Sequence, residues 1–361
     1  MFLSVLGADV VKLTSSYLFW QETHLKGSKS VNSGIDTYNS LHHNESVSAR
    51  VSEYSTLVNT YYDLVTIFYE WGWCESFHFA YRFANETFYE AIRRHEYELA
   101  SKLGINRPDM KVLDVGCGIG GPLRNIGRFS KADITGVTLN QYQVHRGNEL
   151  CQRDPVIAGK CRLVHGDFMS LPFSDGQFDA AYAIDATCHA PDRLGVFREV
   201  FRALKPGSTF ACYEWCMTDL YEKGNPDHER VKKLIEEGNG LPDVVHSKVC
   251  INAMKEAGFS VVEARDLAND NFGHNGSPWY LPVTPSWNPF SQRFQFNWFG
   301  YWLVNLAVQV LEFLWLAPKG SYKTQKMLQR GARGLGQGGK LKIFSAMFLI
   351  VGKVPEGQPS T

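Results

Sequence analysis

Apolar and polar positions along this chain follow three successive rhythms. From Val51, apolar residues recur at three- and four-residue steps through Tyr54, Val58, Tyr61, Val65 and Phe68, the period of one helical face. A second helical pattern covers 86–103 and stops at Gly104, a natural C-cap. Residues 51–105 therefore read as a helical preface. Residues 21–50 are polar and hold no sustained apolar period, so 1–50 reads as a tail and linker. Within it, Leu3, Leu6, Val10, Leu13 and Tyr17 share one helical face, as in an interfacial or docked helix. No basic residue precedes this apolar run, and Asp9 and Lys12 interrupt it, which does not fit a secretory signal.

After residue 105 the rhythm becomes strand, turn, helix, repeated. Short apolar runs at 111–115, 133–137, 161–164, 178–184, 209–215 and 259–264 are separated by helical stretches. Such alternation predicts a doubly wound α/β sheet of the Rossmann-like kind, here assigned to 106–266. A seventh strand is expected at 343–351, within a closing segment 342–361. The interval 267–341 is too long for a connection and too structured for a linker, so it reads as a substrate-binding insertion before the last strand. Its apolar stretch 296–317 carries Asn297, Asn305, Gln309 and Glu312. The last three are spaced i, i+4, i+7 and make one polar stripe, which predicts a helix wedged against an apolar surface and monotopic at most.

Composition narrows the function. Lys+Arg and Asp+Glu both number 37 in 361 residues, so the basic face that nucleic acid requires is not expected. The 44% hydrophobic content excludes wholesale disorder. Neither the eight cysteines nor the eleven histidines show a CxxC, an HExxH or another metal spacing. Reduced thiols acting as small hydrophobes, and no metal, are the expectation.

Gly116, Gly118 and Gly121 satisfy G-x-G-x-x-G between a strand and a helix. Glycines there let backbone approach a ligand, and the helix N-terminus offers free N–H groups. Dinucleotide and S-adenosylmethionine sites share this architecture. Asp114, two residues before the first glycine, suits a cationic ligand better than a pyrophosphate. The ribose-diol position holds Asn140, in Thr138-Leu139-Asn140-Gln141, rather than an acid. Gly166-Asp167-Phe168 supplies an Asp for an adenine amino group and a ring to flank it.

Aromatic residues make up 13% of the chain, yet eight of the sixteen residues 68–83 are Phe, Tyr or Trp. A packed core accounts for most such rings. Glu70, Glu75 and His78 are interleaved with them, and a plain apolar core would not select those residues.

VLDVGCGIGGP, GDFMSLPFSDGQFD, AIDATCHAP, LKPGSTFACYEW and FYEWGWCESFHF resemble the sterol 24-C-methyltransferase family, a likeness running from Tyr61 to Pro355 through PWYLP and LAPKG. The resemblance implies a class I methyltransferase fold whose seventh strand is antiparallel, and S-adenosylmethionine as cofactor. Cofactor contacts would come from Asp114, Gly116, Cys117, Gly118, Gly120, Thr138, Leu139, Asn140, Gln143, Gly166, Asp167, Phe168 and Ala183. Family members methylate C24 of a Δ24 sterol such as cycloartenol, lanosterol or zymosterol. Positive charge arises at C25, a hydride shifts from C24 to C25, and a proton is lost. Tyr69, Trp71, Trp73, Phe77, Phe79, Trp279 and Tyr280 would contact the sterol, with Glu70 adding negative potential. The base is left open among His78, Glu96, Asp185 and His189, with His95 and Glu214 behind them. Asp185 and His189 have the advantage of following a strand's C-terminal end.

The chain departs from the family pattern at Trp71, Cys74 and Asp185, the last where a Glu is usual. Rival readings are a methyltransferase for another lipid or prenyl acceptor, a silent sterol-binding relative and an NAD dehydrogenase. A sterol acceptor further implies peripheral contact with a sterol-synthesising membrane, at the endoplasmic reticulum or from the cytoplasm, and the family implies a homo-oligomer. Secretion is not expected.

Overall fold

A computed structural model describes residues 31–43, 46–268 and 276–357. Its centre is one sheet of seven strands: β1 (Lys111–Val115), β2 (Asp133–Thr138), β3 (Cys161–His165), β4 (Phe178–Ile184), β5 (Leu204–Met217), β6 (Ser260–Asp266) and β7 (Phe344–Lys353). Their spatial order is β3-β2-β1-β4-β5-β7-β6, with β7 antiparallel to both β5 and β6. Strand order reverses beside β1, so the ends of β1 and β4 open the crevice where doubly wound sheets bind ligands. Apolar residues buried on both faces explain the near-continuous hydrophobic runs of β1 and β4.

Helices α4 (Phe88–Lys102), α5 (Gly121–Ser130), α6 (Gln141–Gln152), α7 (Arg193–Ala203), α8 (Pro226–Asn239) and α9 (Ser247–Glu256) surround this sheet; numbering begins with the three upstream helices given next. Thr87 and Glu90 form a reciprocal capping box that sets the start of α4.

The expected linker is not a linker from residue 31 onward. Helices α1 (Val31–His43) and α2 (Val47–Ser52) precede α3 (Tyr54–Gly72). Val31, Ile35 and Tyr38 supply a short apolar face that the surrounding Ser, Asn and Asp residues mask in a simple count. Ile35 and Tyr38 are buried against α3, and the Tyr38 hydroxyl donates to Glu237 O at 2.7 Å while accepting from Gly240 N at 2.9 Å. The helical face proposed for residues 3–17 lies outside the described residues.

The insertion supplies α10 (Trp298–Phe313) and α11 (Ser321–Leu341). Helices α8 and α11 meet closely because both contribute glycine at the contact. A Cβ on Gly238 would fall 2.1 Å from Gly331 Cα. The orientation of α10 is the reverse of the expected one. The two ends of its polar stripe face the protein: Asn305 and Gln329 exchange hydrogen bonds of 3.2 and 3.1 Å, and Glu312 accepts from Gly320 N and Tyr322 N at 3.0 and 2.7 Å, while Gln309 stays exposed and donates to Asn305 O at 3.1 Å. Polar groups cannot go unpaired against a protein surface, so they turn inward to partners and leave the apolar side outward. No described helix is long and apolar enough to cross a membrane.

Candidate active site

The glycine loop leaves β1 with Asp114 at its end. Gly116 has φ +79°, and a Cβ there would stand 2.4 Å from Ala186 Cβ, so the backbone of this loop lies against the loop after β4 as only glycine permits. Gly120, also left-handed, is the N-cap of α5 and aims that helix's first N–H groups at the crevice. Asp114 Oδ2 is buried and has no hydrogen-bond partner among the described residues. Burial pushes its carboxyl up to about 8, against an opposing pull from Tyr182. An orphaned carboxylate beside a glycine cradle and a helix N-terminus fits a ligand carrying an ammonium group, such as the methionine part of S-adenosylmethionine.

Asp114, Gly116, Cys117, Gly118, Thr138, Leu139, Asn140, Gln143 and Phe168 all line one cavity of about 70 Å³. Gly120, Gly166 and Asp167 stand behind this lining. Ala183 does not belong to the site at all: it is wholly buried in the core on the far face of β4, and Ile184, Asp185 and Ala186 reach the cavity instead. Asn140 is already engaged, capping α6 through Gln143 N at 3.1 Å and donating to Asp63 Oδ1 at 2.7 Å. An acid thus stands beside the diol position, but on α3. Sequence reasoning missed this helix as a wall of the cofactor cavity. Val58, Asn59 and Tyr62 line it, and the Tyr54 hydroxyl donates to Asp167 Oδ2. The signal available was Asn59 and Asp63, polar residues interrupting the apolar period of 51–68.

Phe77 and His78 form the partition between this cavity and a second of about 170 Å³, also walled by Tyr69, Trp73, Phe79 and Trp215. The sequence-expected rings Tyr69, Trp73, Phe77 and Phe79 are therefore brought together. Trp279 and Tyr280 are not. Trp279 is buried behind Phe79 at 5.1 Å between ring centroids, and Tyr280 packs over Gly339, so both support the wall from outside. The side chain of Trp71 lies outside the described residues. Trp73, Gln295 and Phe296 continue from the second cavity into a third of about 320 Å³, whose rim includes Arg82 and Arg293.

The acid–base candidates separate by what already holds them. Glu70 turns away from the rings, accepting from Arg146 Nε at 2.9 Å and Tyr142 at 3.3 Å. Its spacing on α3 puts it a face apart from Tyr69. Glu96 is buried outside the cavities and accepts from Ser76 at 2.7 Å, Asn125 at 2.7 Å and His78 Nε2 at 3.1 Å. His78 also bonds Phe79 O through Nδ1 at 3.0 Å. Burial works against its charge, but the Glu96 hydrogen bond and charge prevail and raise its pKa. With both nitrogens donating, His78 has no lone pair to accept a proton. His189 is the converse. Nδ1 donates to Gly240 O at 3.1 Å, Nε2 accepts from the Tyr62 hydroxyl at 3.0 Å, and burial lowers the ring to about 4. His95 is buried, stacked on Tyr213 at 3.8 Å and held neutral by burial and the nearby His78 charge. Glu214 lies deeper still, against Thr187 and Arg193.

Asp185 alone among the candidate carboxylates lines the cofactor cavity while touching the aromatic wall, through Phe79 N at 3.4 Å. It has φ +52° at the end of β4. Burial pushes its carboxyl up to about 7, with the His78 charge pulling back. No cluster of three or more metal-ligating side chains occurs among the described residues.

Comparison with known proteins agrees with this architecture. A family model for the methyltransferase domain matches residues 113–212, and one for the sterol methyltransferase C-terminal region matches 291–356. The chain is 49% identical over 327 residues to cycloartenol-C-24-methyltransferase 1 of Oryza sativa subsp. japonica, covering 90% of this chain and 93% of that one. It is 38% identical over 356 residues to sterol 24-C-methyltransferase ERG6 of Saccharomyces cerevisiae, covering 97% and 92%. Geranyl diphosphate C-methyltransferase from Streptomyces coelicolor A3(2) superposes with a TM-score of 0.53 at 17% identity, over 77% of this chain and 93% of that one, a likeness of fold.

Proposed function

The chain belongs to the sterol 24-C-methyltransferase family, and on that premise we propose how its site methylates C24 of a Δ24 sterol from S-adenosylmethionine. The observation that carries the reading is Asp185, a buried carboxylate shared by the cofactor cavity and the aromatic wall. When bound, the donor supplies an electrophilic methyl to the side-chain alkene, and positive charge develops on the sterol.

The residues divide the remaining work. Asp114 holds the ammonium end of the donor, and the loop N–H groups and Phe168 hold the rest. Helix α3 would cover the donor, with Val58, Asn59 and Tyr62 lining its cavity. Tyr69, Trp73, Phe77, Phe79 and Trp215 keep water from the reacting carbon. Their faces stabilise a passing cation by roughly 0.5–2 kcal/mol each when desolvated, without offering a nucleophile. His78, fixed by Glu96, holds the wall's backbone and lowers the proton affinity of Asp185. Asp185 as carboxylate opposes the developing charge and accepts the proton that leaves the sterol.

We extend the reading to a peripheral seat on a sterol-bearing membrane such as the endoplasmic reticulum, and to a homo-oligomer; the insolubility of the acceptor supports the first and the family likeness the second. Incubation with labelled S-adenosylmethionine and a panel of Δ24 sterols, followed by product mass analysis, tests the reaction. A one-methyl mass gain in a Δ24 sterol is expected. Label in a prenyl or fatty acceptor alone, or in nothing, overturns it.

A further inference from the structure

We propose that the outward side of residues 285–316 is a docking surface for a lipid bilayer, a proposal that rests on the sterol reading for its purpose but not for its evidence. Phe290 is 90% exposed, Phe313 82%, Trp315 78%, Trp298 70% and Trp302 55%, and Trp287, Leu306, Val310 and Leu316 continue the same exposed apolar band. Trp287, Trp298, Phe299 and Trp302 form a continuous chain of ring contacts at 5.7–6.1 Å, and so many exposed large rings from one short segment are rare on monomeric soluble surfaces without a partner.

Three features select a bilayer as the occupant. Helix α10 turns Asn305 and Glu312 onto α11 and its N-cap and leaves large apolar side chains outward, the build of a helix lying in a membrane plane, and it is too short to cross. The charges are asymmetric: Glu312 is turned inward to accept two backbone N–H groups and Arg293 is tied to Thr284 and Pro285, whereas Lys319, just past the segment, lies over the outward Trp315 ring at 5.1 Å. Trp together with Lys or Arg is the composition that anchors proteins at the headgroup level. Finally, Phe296 and Tyr301 wall the acceptor cavity from within this same segment, so docking brings that cavity to the phase in which a sterol is dissolved. A second copy of the chain on this face would bring no acceptor with it.

The test is flotation of the full-length protein with sterol-free phosphatidylcholine vesicles, with and without phosphatidylserine. It compares wild type with the triple variant Trp298→Ser, Trp302→Ser, Trp315→Ser, none of which lines a cavity. Wild type should float, and the variant's vesicle partition should fall about tenfold or more. Circular dichroism melting checks that the variant is folded. Its methyl transfer to cyclodextrin-delivered sterol should match wild type, and transfer to vesicle-borne sterol should fall. Absence of flotation by wild type, or equal flotation by the folded variant, overturns the proposal. So does a drop in oligomer mass on substitution without loss of flotation, which would assign the face to a second copy. Because the vesicles carry no sterol, flotation reads the surface even if the acceptor proves to be another lipid.

Discussion

Rings near the helical preface and rings in the late insertion have similar chemistry and opposite surroundings. Tyr69, Trp73, Phe77 and Phe79 turn inward, with Trp73 and Phe79 edge-on at 4.9 Å and Tyr69 and Phe77 tilted at 5.2 Å. Their neighbours are charged groups that are themselves fixed, Asp185 and the His78–Glu96 pair. Trp298, Trp302 and Trp315 turn outward, while Asn297, Asn305 and Glu312 of their segment are drawn to its inner side. The difference shows that a ring's role is set by where the nearby polar groups are satisfied. Polar groups behind the rings leave a dry wall, whereas polar groups on the far side of a helix leave an adhesive one.

The comparison breaks first at Asp185, whose charge gives the inner wall its chemistry. Asparagine tolerates the left-handed backbone at this position, so Asp185→Asn should fold. Single-turnover methyl transfer should fall about 10²–10³-fold, while donor affinity by calorimetry stays within about threefold. Unchanged turnover removes Asp185 from the mechanism.

The same carboxyl predicts that activity and stability move oppositely with pH. Its native value is raised to about 7, above the ordinary carboxylate range, so the neutral form is favoured by folding. Its stabilising contribution is complete below about pH 4 and is lost as pH rises through about 7. Turnover needs the ionised form and should rise over the upper part of that window. In thermal melts, Asp185→Asn should gain on wild type between pH 5 and pH 8. A variant whose relative stability is flat with pH contradicts the assignment.

A smaller effect is expected at Phe79. Replacing it by Leu keeps the wall apolar and removes one aromatic face, so turnover should fall roughly 2- to 30-fold, the equivalent of about 0.5–2 kcal/mol. A fall no greater than that of Val283→Ala, an aliphatic member of the same wall, would show that the rings act by packing alone.

How much of this was legible in sequence follows from the kind of signal involved. The strands and the glycine loop were readable because burial on both faces and left-handed turns leave local residue patterns, and the run 178–184 coincides with β4. The antiparallel last strand came from family likeness, since local pattern carries no strand direction. Asp114 was legible from its place two residues before the first glycine, and Asp185 because topology puts strand ends at the crevice. Glu70 was placed with the rings because it is interleaved with them in sequence, and Glu96 stood among the bases with no location argument; their partners, Arg146 and Asn125, come from other elements. Ala183 was one residue from the cavity, and in a strand one residue is the opposite face. Helix α1 was hidden because its apolar face is short and embedded in polar residues. The orientation of α10 was inverted because periodicity identifies a stripe, not what the stripe faces.

The smallest expected effect is the sharpest distinction between the two regions. Trp302 is 55% exposed and, among the described residues, stacks at 5.8 Å on Phe299, itself exposed. Removing a mostly solvated ring from a helix surface loses little burial, and serine costs a helix only a few tenths of a kcal/mol. Trp302→Ser should therefore shift unfolding free energy in vesicle-free buffer by no more than about 0.5 kcal/mol. Phe79→Ala, deleting a ring buried among Trp73, Trp215 and Trp279, should cost about 3–5 kcal/mol. Urea titration of both variants measures the contrast. A loss at Trp302 approaching that at Phe79 would mean that the outer rings are part of the folded core and would end the distinction between an inner wall and an outer one.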